Sequence, residues 1–196
     1  MPKAAFFSDD PFSIQRVFAE GRKERLQSQF DFYPEIVSSQ NFDQHLPALQ
    51  DLEYVFSTWG MLPLSAEQIA RLPALKAVFY AAGSVQYFAR PFLKRGVKVV
   101  SAWGANAVPV AEYTISQIIL SAKGFFSAER ICRTSQGRET FQNHYPGLFG
   151  TPIALLGAGM IGTRVIELLR AFEVQVLVFD PFLSETRAAL LGVERV

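Results

Sequence analysis

The glycine spacing near the end of the chain constrains its fold more than any other feature. An apolar run, IALLG, leads into GAGMIG, in which Gly157, Gly159 and Gly162 have the spacing G-x-G-x-x-G. VIELLRAF then has the pattern of a helix, and VQVLVF that of a second apolar strand, which ends before Asp180. Strand, glycine triplet, helix, strand and terminal acid in this order predict a unit that binds a dinucleotide.

Each of these residues has its own physical task in that prediction. Gly157 permits a tight turn, Gly159 lets the backbone approach a pyrophosphate at the positive helix end, and Gly162 allows close packing of helix on strand. Asp180 lies 18 residues after Gly162, where a carboxylate reaches the hydroxyls of an adenosine ribose. A carboxylate there repels a 2′-phosphate, so the predicted cofactor is NAD rather than NADP. The alternative is an ordinary glycine-rich turn.

Two rival nucleotide-binding patterns are absent from the sequence. A phosphate-binding loop needs Lys after its last glycine, but Gly162 is followed by Thr163 and Arg164. A Tyr-x-x-x-Lys pair is also missing, because none of the 6 tyrosines has Lys four residues later. The sequence therefore argues against ATP binding through a phosphate-binding loop and against a short-chain dehydrogenase.

Composition excludes several other classes of function. The balance of 19 basic and 18 acidic residues leaves no basic surface for nucleic acid. No run approaches the roughly 18 apolar residues of a membrane span, and Asp9 and Asp10 fall where a signal peptide is uncharged. We therefore expect a cytoplasmic protein without nucleic-acid or membrane partners. Cys132 is the single cysteine, which predicts a buried inert thiol, no disulfide and no metal site.

The first hundred residues alternate short apolar runs with helical patterns, which predicts an α/β fold with a parallel sheet. Asp10 before Pro11 is typical of a helix start, and Ser65 with Gln68 has the spacing of a capping box. We predict a first domain over residues 1–101 and a second over residues 102–196. The predicted strands of the first domain are Ala4–Phe7, Phe30–Tyr33, Tyr54–Ser57, Leu75–Tyr80 and Val97–Ser101.

A longer apolar helix is predicted from Val108 to about Lys123, with Pro109 and Glu112 in its first turn. It has no clean polar face, so we expect it to be buried between domains or between subunits. The next segment, Gly124 to Gly150, mixes charges with Pro and Gly and has the composition of a linker.

Three blocks of sequence resemble the D-isomer-specific 2-hydroxyacid dehydrogenases, which include phosphoglycerate, glyoxylate/hydroxypyruvate and formate dehydrogenases. LKAVFYAAGSVQYFARPFLKRGVKVVS is similar to the glycine loop and following strand of the family's substrate domain. GANAVPVAEYTISQIILSAKG looks like the segment that crosses into the nucleotide domain. The third block is the glycine triplet with Asp180 and Pro181. The resemblance implies a flavodoxin-like substrate domain followed by the first half of a Rossmann-type NAD-binding domain.

The resemblance also implies roles for individual residues. It places backbone amides of Ala82, Gly83 and Ser84 on the substrate carboxylate, because small residues let backbone approach an anion. It places Asn106 on the substrate and Ala107 beside the cofactor. Without the family, a plain strand-to-helix turn and a helix-start cap are the preferred interpretations of these two segments. The amides that it assigns to the pyrophosphate are those of Met160 and Ile161.

The chain departs from the family pattern at several positions. Val85 replaces the usual Asp after the first loop, and Ser101 and Trp103 replace Asn and Pro before Gly104, which implies an apolar substrate pocket. Glu173 replaces the glycine that usually ends the helix, so we expect that turn to close differently or to be strained.

The family's catalytic Arg, Glu/Asp and His are expected beyond Val196, so no catalytic residue is assigned within this sequence. His45 and His144 lie outside any motif, and we expect both at a surface or an interface. The predicted activity is hydride transfer between NAD and a small 2-hydroxy or 2-oxo acid by a homodimer, with the 196-residue chain inactive on its own. The alternatives are an NAD-sensing, corepressor-like binding protein and a non-functional fragment with an exposed sheet edge.

Overall fold

The computed structural model describes residues 1–142 and 144–196, which form two compact units. Unit 1 is Met1–Trp103 and unit 2 is Gly104–Val196. Both contain parallel strands joined by helices, which confirms the predicted α/β class. The predicted domain bounds, 1–101 and 102–196, differ from this division by two residues.

The sheet of unit 1 has five parallel strands in the order β2-β1-β3-β4-β5, the order of a flavodoxin-like fold. β2 is an edge strand and is longer than predicted, because an edge position tolerates Pro34, whose ring nitrogen has no hydrogen to donate. The strands are β1 (Lys3–Phe7), β2 (Asp31–Val37), β3 (Tyr54–Ser57), β4 (Ala77–Tyr80) and β5 (Lys98–Ser101).

Alternating side chains build a core on each face of this sheet. Phe7, Val55 and Val78 are fully buried on one face. Phe6 and Phe56 face the other way, where Phe6 stacks on Phe32 and Phe56 on Phe79 with ring centroids 4.6 and 5.1 Å apart. Burial of both faces explains why these strands are short apolar runs rather than alternating ones.

Helices cover the sheet of unit 1, and both predicted caps are present. The Asp10 carboxylate accepts a hydrogen bond from the Ser13 N–H, and Ser65 and Gln68 form a reciprocal capping box. Such caps satisfy backbone donors that a first helical turn leaves without partners. The helices are α1 (Pro11–Val17), α2 (Arg22–Gln27), α3 (Phe42–His45) with a 3₁₀ turn (Leu46–Leu49), α4 (Ala66–Ala70) and α5 (Ala89–Lys94).

The long helix α6 (Trp103–Ala122) begins five residues before the predicted start at Val108. Pro109 therefore lies inside the helix and not in its first turn, which leaves the Ala105 carbonyl without its helical donor. Ala111 packs against Val165 and Leu169, and Ala107 is also buried. The remaining side chains of α6 are half-buried or exposed in the single chain, and the expectation that this helix lies between domains or between subunits stays a prediction.

The stretch predicted to be a linker contains two further helices, α7 (Phe125–Ile131) and α8 (Ser135–Thr140). Gly124 has φ +71° at the start of α7, and the Thr134 side chain accepts a hydrogen bond from the Gly137 N–H at the start of α8. The prediction was wrong because neither of these short helices has a buried residue, so no apolar periodicity marks them in the sequence. In the described part of the chain, no helix is both long enough and apolar enough to cross a membrane.

The rest of unit 2 is a three-stranded parallel sheet in the order β6-β7-β8. After α9 the chain turns with short-range bonds such as Phe172 N–H to the Leu169 carbonyl, and Glu173 keeps a negative φ, so the turn closes without a left-handed residue. The elements are β6 (Thr151–Leu156), α9 (Met160–Leu169), β7 (Val174–Phe179), α10 (Glu185–Leu191) and β8 (Glu194–Arg195).

Replacing Phe92 in α5 by Ala should destabilise unit 1, because Phe92 is fully buried in its core. We expect a loss of about 3–5 kcal/mol in the free energy of unfolding, measured by urea titration. The neighbouring Leu93 is exposed, and Leu93→Ala is the matched control, with an expected change within about 0.5 kcal/mol. Tryptophan fluorescence follows unit 1 alone, since Trp59 and Trp103 both belong to it. Equal losses in the two variants would contradict the assigned core.

Candidate functional site

The glycine loop between β6 and α9 has the backbone geometry that its sequence predicts. Gly157 has φ +98°, a conformation that residues with a Cβ rarely adopt. Its N–H donates to the Phe179 carbonyl at 2.8 Å, which fastens the loop to the end of β7. Gly159 is the N-cap of α9, and no side chain caps that helix.

The other two glycines differ in what surrounds them. A Cβ on Gly162 would lie 2.1 Å from the Gly157 carbonyl oxygen, so the close approach of α9 to the loop requires glycine there. A Cβ on Gly159 would meet no atom within 4 Å. The backbone of Gly159 thus borders open space at the positive end of a helix, and the Met160 and Ile161 amides belong to its first turn. This geometry fits a pyrophosphate.

Ala158, in the middle of the triplet, is held through both of its backbone polar groups, which belong to successive peptide units. Its N–H donates to Asp180 Oδ2 at 2.7 Å. Its carbonyl accepts hydrogen bonds from Thr163 Oγ1 at 2.9 Å and from Arg187 Nη2 at 3.0 Å. Thr163 and Arg187 are also 3.0 Å apart. We name these contacts the Ala158 clamp.

The sequence reasoning missed two members of this clamp. Thr163 served only to exclude a phosphate-binding loop, although a hydroxyl in the first turn of a helix can reach back to the preceding loop. Arg187 lies on α10, and no sequence pattern connects it with the glycine triplet. Only the fold of unit 2 brings these residues together.

Asp180 is half-buried and uses both carboxylate oxygens locally. Besides the bond from Ala158, its Oδ1 accepts a hydrogen bond from the Phe182 N–H at 2.8 Å. The backbone N–H groups of Ala158 and Phe182, with a smaller contribution from Arg187, hold the pKa of this carboxyl below its usual value. Each carboxylate oxygen has a second lone pair, so an ionised Asp180 can still accept hydrogen bonds from ribose hydroxyls.

The residues of the predicted crossing segment lie within α6. Asn106 is the fourth residue of this helix and is half-buried, so it does not cap the helix. Ala107 is buried. Their assignments to substrate and cofactor stay predictions.

The predicted substrate loop of unit 1 is fixed by a hydroxyl that the sequence reasoning recorded only as a departure from the family. Ser101 Oγ donates to the carbonyls of Ala82 and Gly83, at 3.0 and 2.5 Å. Ala82 is buried, Gly83 is half-buried and Ser84 is exposed. Val85 is half-buried and packs against the core, and the expected apolar character of the substrate pocket stays a prediction.

His45 and His144 were predicted at a surface or an interface, and Cys132 was predicted to be buried. The expectation of a surface position is wrong for His45, which is 6% exposed, with Nδ1 2.7 Å from the Tyr33 hydroxyl and Nε2 3.5 Å from Glu35. His144 is exposed, in agreement with its prediction. The expectation of burial is wrong for Cys132, which is half-exposed at the end of α7. Among the described residues, no cluster of His, Cys, Asp and Glu could hold a metal ion.

Comparison with known proteins finds a family match over the part of the chain that contains the glycine loop. Residues 115–196 match the family described as D-isomer specific 2-hydroxyacid dehydrogenase, NAD binding domain, which agrees with the predicted cofactor. D-3-phosphoglycerate dehydrogenase of Bacillus subtilis is 35% identical over 102 residues, which cover 51% of this chain and 19% of that protein. Formate dehydrogenase of Neurospora crassa is 31% identical over 158 residues, covering 76% and 41%. The matched segments thus span well under half of these relatives.

The similarity in three dimensions extends over the whole chain. The crystal structure of a phosphoglycerate oxidoreductase from Rhizobium etli matches with a TM-score of 0.75 and covers 100% of this chain and 61% of that one. A D-lactate dehydrogenase from Aquifex aeolicus, complexed with NAD and lactic acid, matches with a TM-score of 0.69. The sequence identities are 24% and 19%, so these two matches establish the fold alone.

Of two alanine substitutions in the glycine loop, only the one at Gly162 should destabilise unit 2. Gly162→Ala forces a Cβ against a backbone carbonyl, and we expect it to destabilise the α9 region by about 1–3 kcal/mol. Gly159→Ala places its Cβ in open space on an extended backbone, and we expect a change within about 0.5 kcal/mol. Native-state hydrogen exchange of the β7 amides measures both. Equal protection in the two variants would rule out the close contact at Gly162.

Acid should release the Ala158 clamp through Asp180. Because the folded-state pKa is below the ordinary 3.8, this carboxylate's contribution to stability is complete above pH 3.8. It is lost as the pH falls from there through the folded-state pKa. We expect the Ala158 and Phe182 amide resonances to titrate together in NMR spectra, with an apparent pKa below 3.8. In Asp180→Asn this shared titration should disappear. An apparent pKa at or above the ordinary value would refute the assignment.

Proposed function

We propose that the protein is an NAD-dependent oxidoreductase, because residues 115–196 match the family described as D-isomer specific 2-hydroxyacid dehydrogenase, NAD binding domain. It acts on the CH–OH group of a small D-2-hydroxy acid. The observation that carries the proposal is the open space beside Gly159, at the N-terminus of α9, where no side chain caps the helix. Asp180, through the Ala158 clamp, fixes the same loop.

In this proposal unit 2 holds the ADP-ribose end of the cofactor. The amides of Met160 and Ile161 donate to the pyrophosphate at the positive end of α9. Gly157 and Gly162 set the course of the loop, and Asp180 accepts hydrogen bonds from the adenosine ribose. NAD, when bound, supplies the hydride acceptor for the alcohol carbon.

The proposed substrate site lies in the loop after β4 of unit 1. The backbone amides of Ala82, Gly83 and Ser84 bind the carboxylate of a 2-hydroxy or 2-oxo acid, with Asn106 as a further substrate contact and Ala107 beside the cofactor. The Ser101 hydroxyl supports this assignment, because it binds the carbonyls of Ala82 and Gly83 and so orients their peptide groups.

We further propose that the 196-residue chain does not turn over its substrate alone. Removal of the alcohol proton needs a base beside the reacting carbon. His45 is buried with both ring nitrogens engaged, and His144 belongs to none of the assigned substrate or cofactor segments. That neither histidine is placed to act as this base also supports the second candidate, an NAD-sensing binding protein of this fold. A homodimer through α6 and a cytoplasmic location stay predictions; the exposed Tyr113 ring on α6 is compatible with the former.

Calorimetric titration of the chain with NAD and with ADP-ribose tests the proposed cofactor site. We expect equal weak affinity for the two ligands, because the assigned residues contact only the part that they share. Gly159→Ala should weaken both by at least about tenfold, since its Cβ occupies the pyrophosphate space while the fold is retained. A turnover assay with a panel of D-2-hydroxy acids should give no activity. Clear preference for NAD, or turnover, would show that this chain also holds the nicotinamide.

A further inference from the structure

Three exposed aromatic side chains lie at the carboxyl edge of the unit 1 sheet. Trp59 follows β3, Tyr87 lies in the loop after β4, and Trp103 follows β5; their exposed fractions are 44%, 52% and 56%. β3, β4 and β5 are adjacent and parallel, so their carboxyl ends meet at one edge. We call these three side chains the aromatic rim.

Contacts between neighbouring loops hold two members of the aromatic rim, Trp59 and Tyr87. Ser8 Oγ, after β1, donates to the Trp59 carbonyl at 3.1 Å. The guanidinium of Arg16 lies 5.3 Å from the centre of the Trp59 ring. The Tyr87 hydroxyl donates to the Met61 carbonyl at 3.2 Å, and burial of this hydroxyl, with Tyr80 nearby, raises its pKa. The Trp59 and Tyr87 side chains held in this way form a preorganised surface for an apolar group.

The rim flanks the loop to which the substrate carboxylate is assigned. Tyr87 is three residues beyond Ser84 in the same loop. On the other side, Ser101 Oγ accepts a hydrogen bond from the Trp103 N–H at 3.2 Å and donates to the carbonyls of Ala82 and Gly83. A 2-hydroxy acid bound through its carboxylate therefore has aromatic surface beside it.

The charges at this edge disfavour a phosphorylated side chain. Asp9 and Asp10 follow β1, and the Asp9 N–H donates to the carbonyl of Gly60, next to Trp59. Arg16 is engaged with the face of the Trp59 ring. The Asp9 carboxylate accepts hydrogen bonds from Ser39 and the Asp10 carboxylate from Ser13, and the negative charge that both bring to this edge disfavours a second anionic group more than an uncharged ring.

We infer that the aromatic rim is a specificity site that selects 2-hydroxy or 2-oxo acids with an aromatic side chain. This inference rests on the proposed function, because it takes the Ala82 to Ser84 loop as the carboxylate site. It adds the substrate class, which the comparisons leave open.

Tryptophan fluorescence tests the inference directly, because the chain's 2 tryptophans are both members of the rim. The chain is titrated with D-phenyllactate, D-lactate and D-3-phosphoglycerate up to millimolar concentrations. We expect saturable quenching by D-phenyllactate with a dissociation constant about tenfold or more below that for D-lactate, since a phenyl ring buries apolar area on the rim. D-3-phosphoglycerate should bind most weakly.

Single substitutions separate the rim from general apolar binding. Trp59→Leu and Trp103→Leu should each reduce the preference for D-phenyllactate over D-lactate, with the remaining tryptophan as the reporter. Phe149→Leu is the matched control, because Phe149 is an exposed aromatic side chain in unit 2. It should leave the preference unchanged. The same reduction in all three variants would overturn the inference.

The outcomes also distinguish this inference from the proposed function. Equal dissociation constants for the three acids, or no quenching by any of them, overturn the rim as a specificity site. Calorimetry with NAD probes unit 2 independently, so NAD binding without an aromatic preference refutes the inference alone. A failure of NAD binding refutes the proposed cofactor site, whichever acid quenches the tryptophans.

Discussion

The Ala158 clamp is the interaction on which the geometry of unit 2 depends. The Ala158 N–H donates to the Asp180 carboxylate after β7, and the Ala158 carbonyl accepts from Thr163 on α9 and Arg187 on α10. That carbonyl belongs to the peptide that joins Ala158 to Gly159, so its orientation sets the course of the backbone into the first turn of α9. Contacts from three elements thereby converge on one anion-binding surface, and the charge-assisted bond that the Asp180 carboxylate accepts is among the strongest of them.

The sequence predicted those residues of this site whose roles depend on neighbours close in the chain. Gly157 must adopt a positive φ and Gly162 must clear a carbonyl, and both requirements appear as glycine at a fixed spacing. Asp180 was found for the same reason, because one βαβ unit sets its distance from the triplet. Arg187 could not be found, since its contact with the loop exists only after α10 packs onto α9.

The predictions for the start of α6 and for His45 were wrong because tertiary packing overrides the local sequence pattern. Pro109 is typical of a first helical turn, but α6 begins earlier and accommodates it inside, with the small Ala107 and Ala111 buried. His45 has no motif around it, and its burial follows from Tyr33 on β2, which supplies the hydroxyl partner. By contrast, strands β3 to β5 were located to within two residues, because a buried parallel strand is a short apolar run between turns.

The sheet of unit 2 shows why the clamp matters for a dinucleotide site. β6 carries the glycine loop, yet among the described residues it pairs with β7 alone. The hydrogen bonds that hold the loop among these residues come from β7, from α9 and from Arg187 on α10.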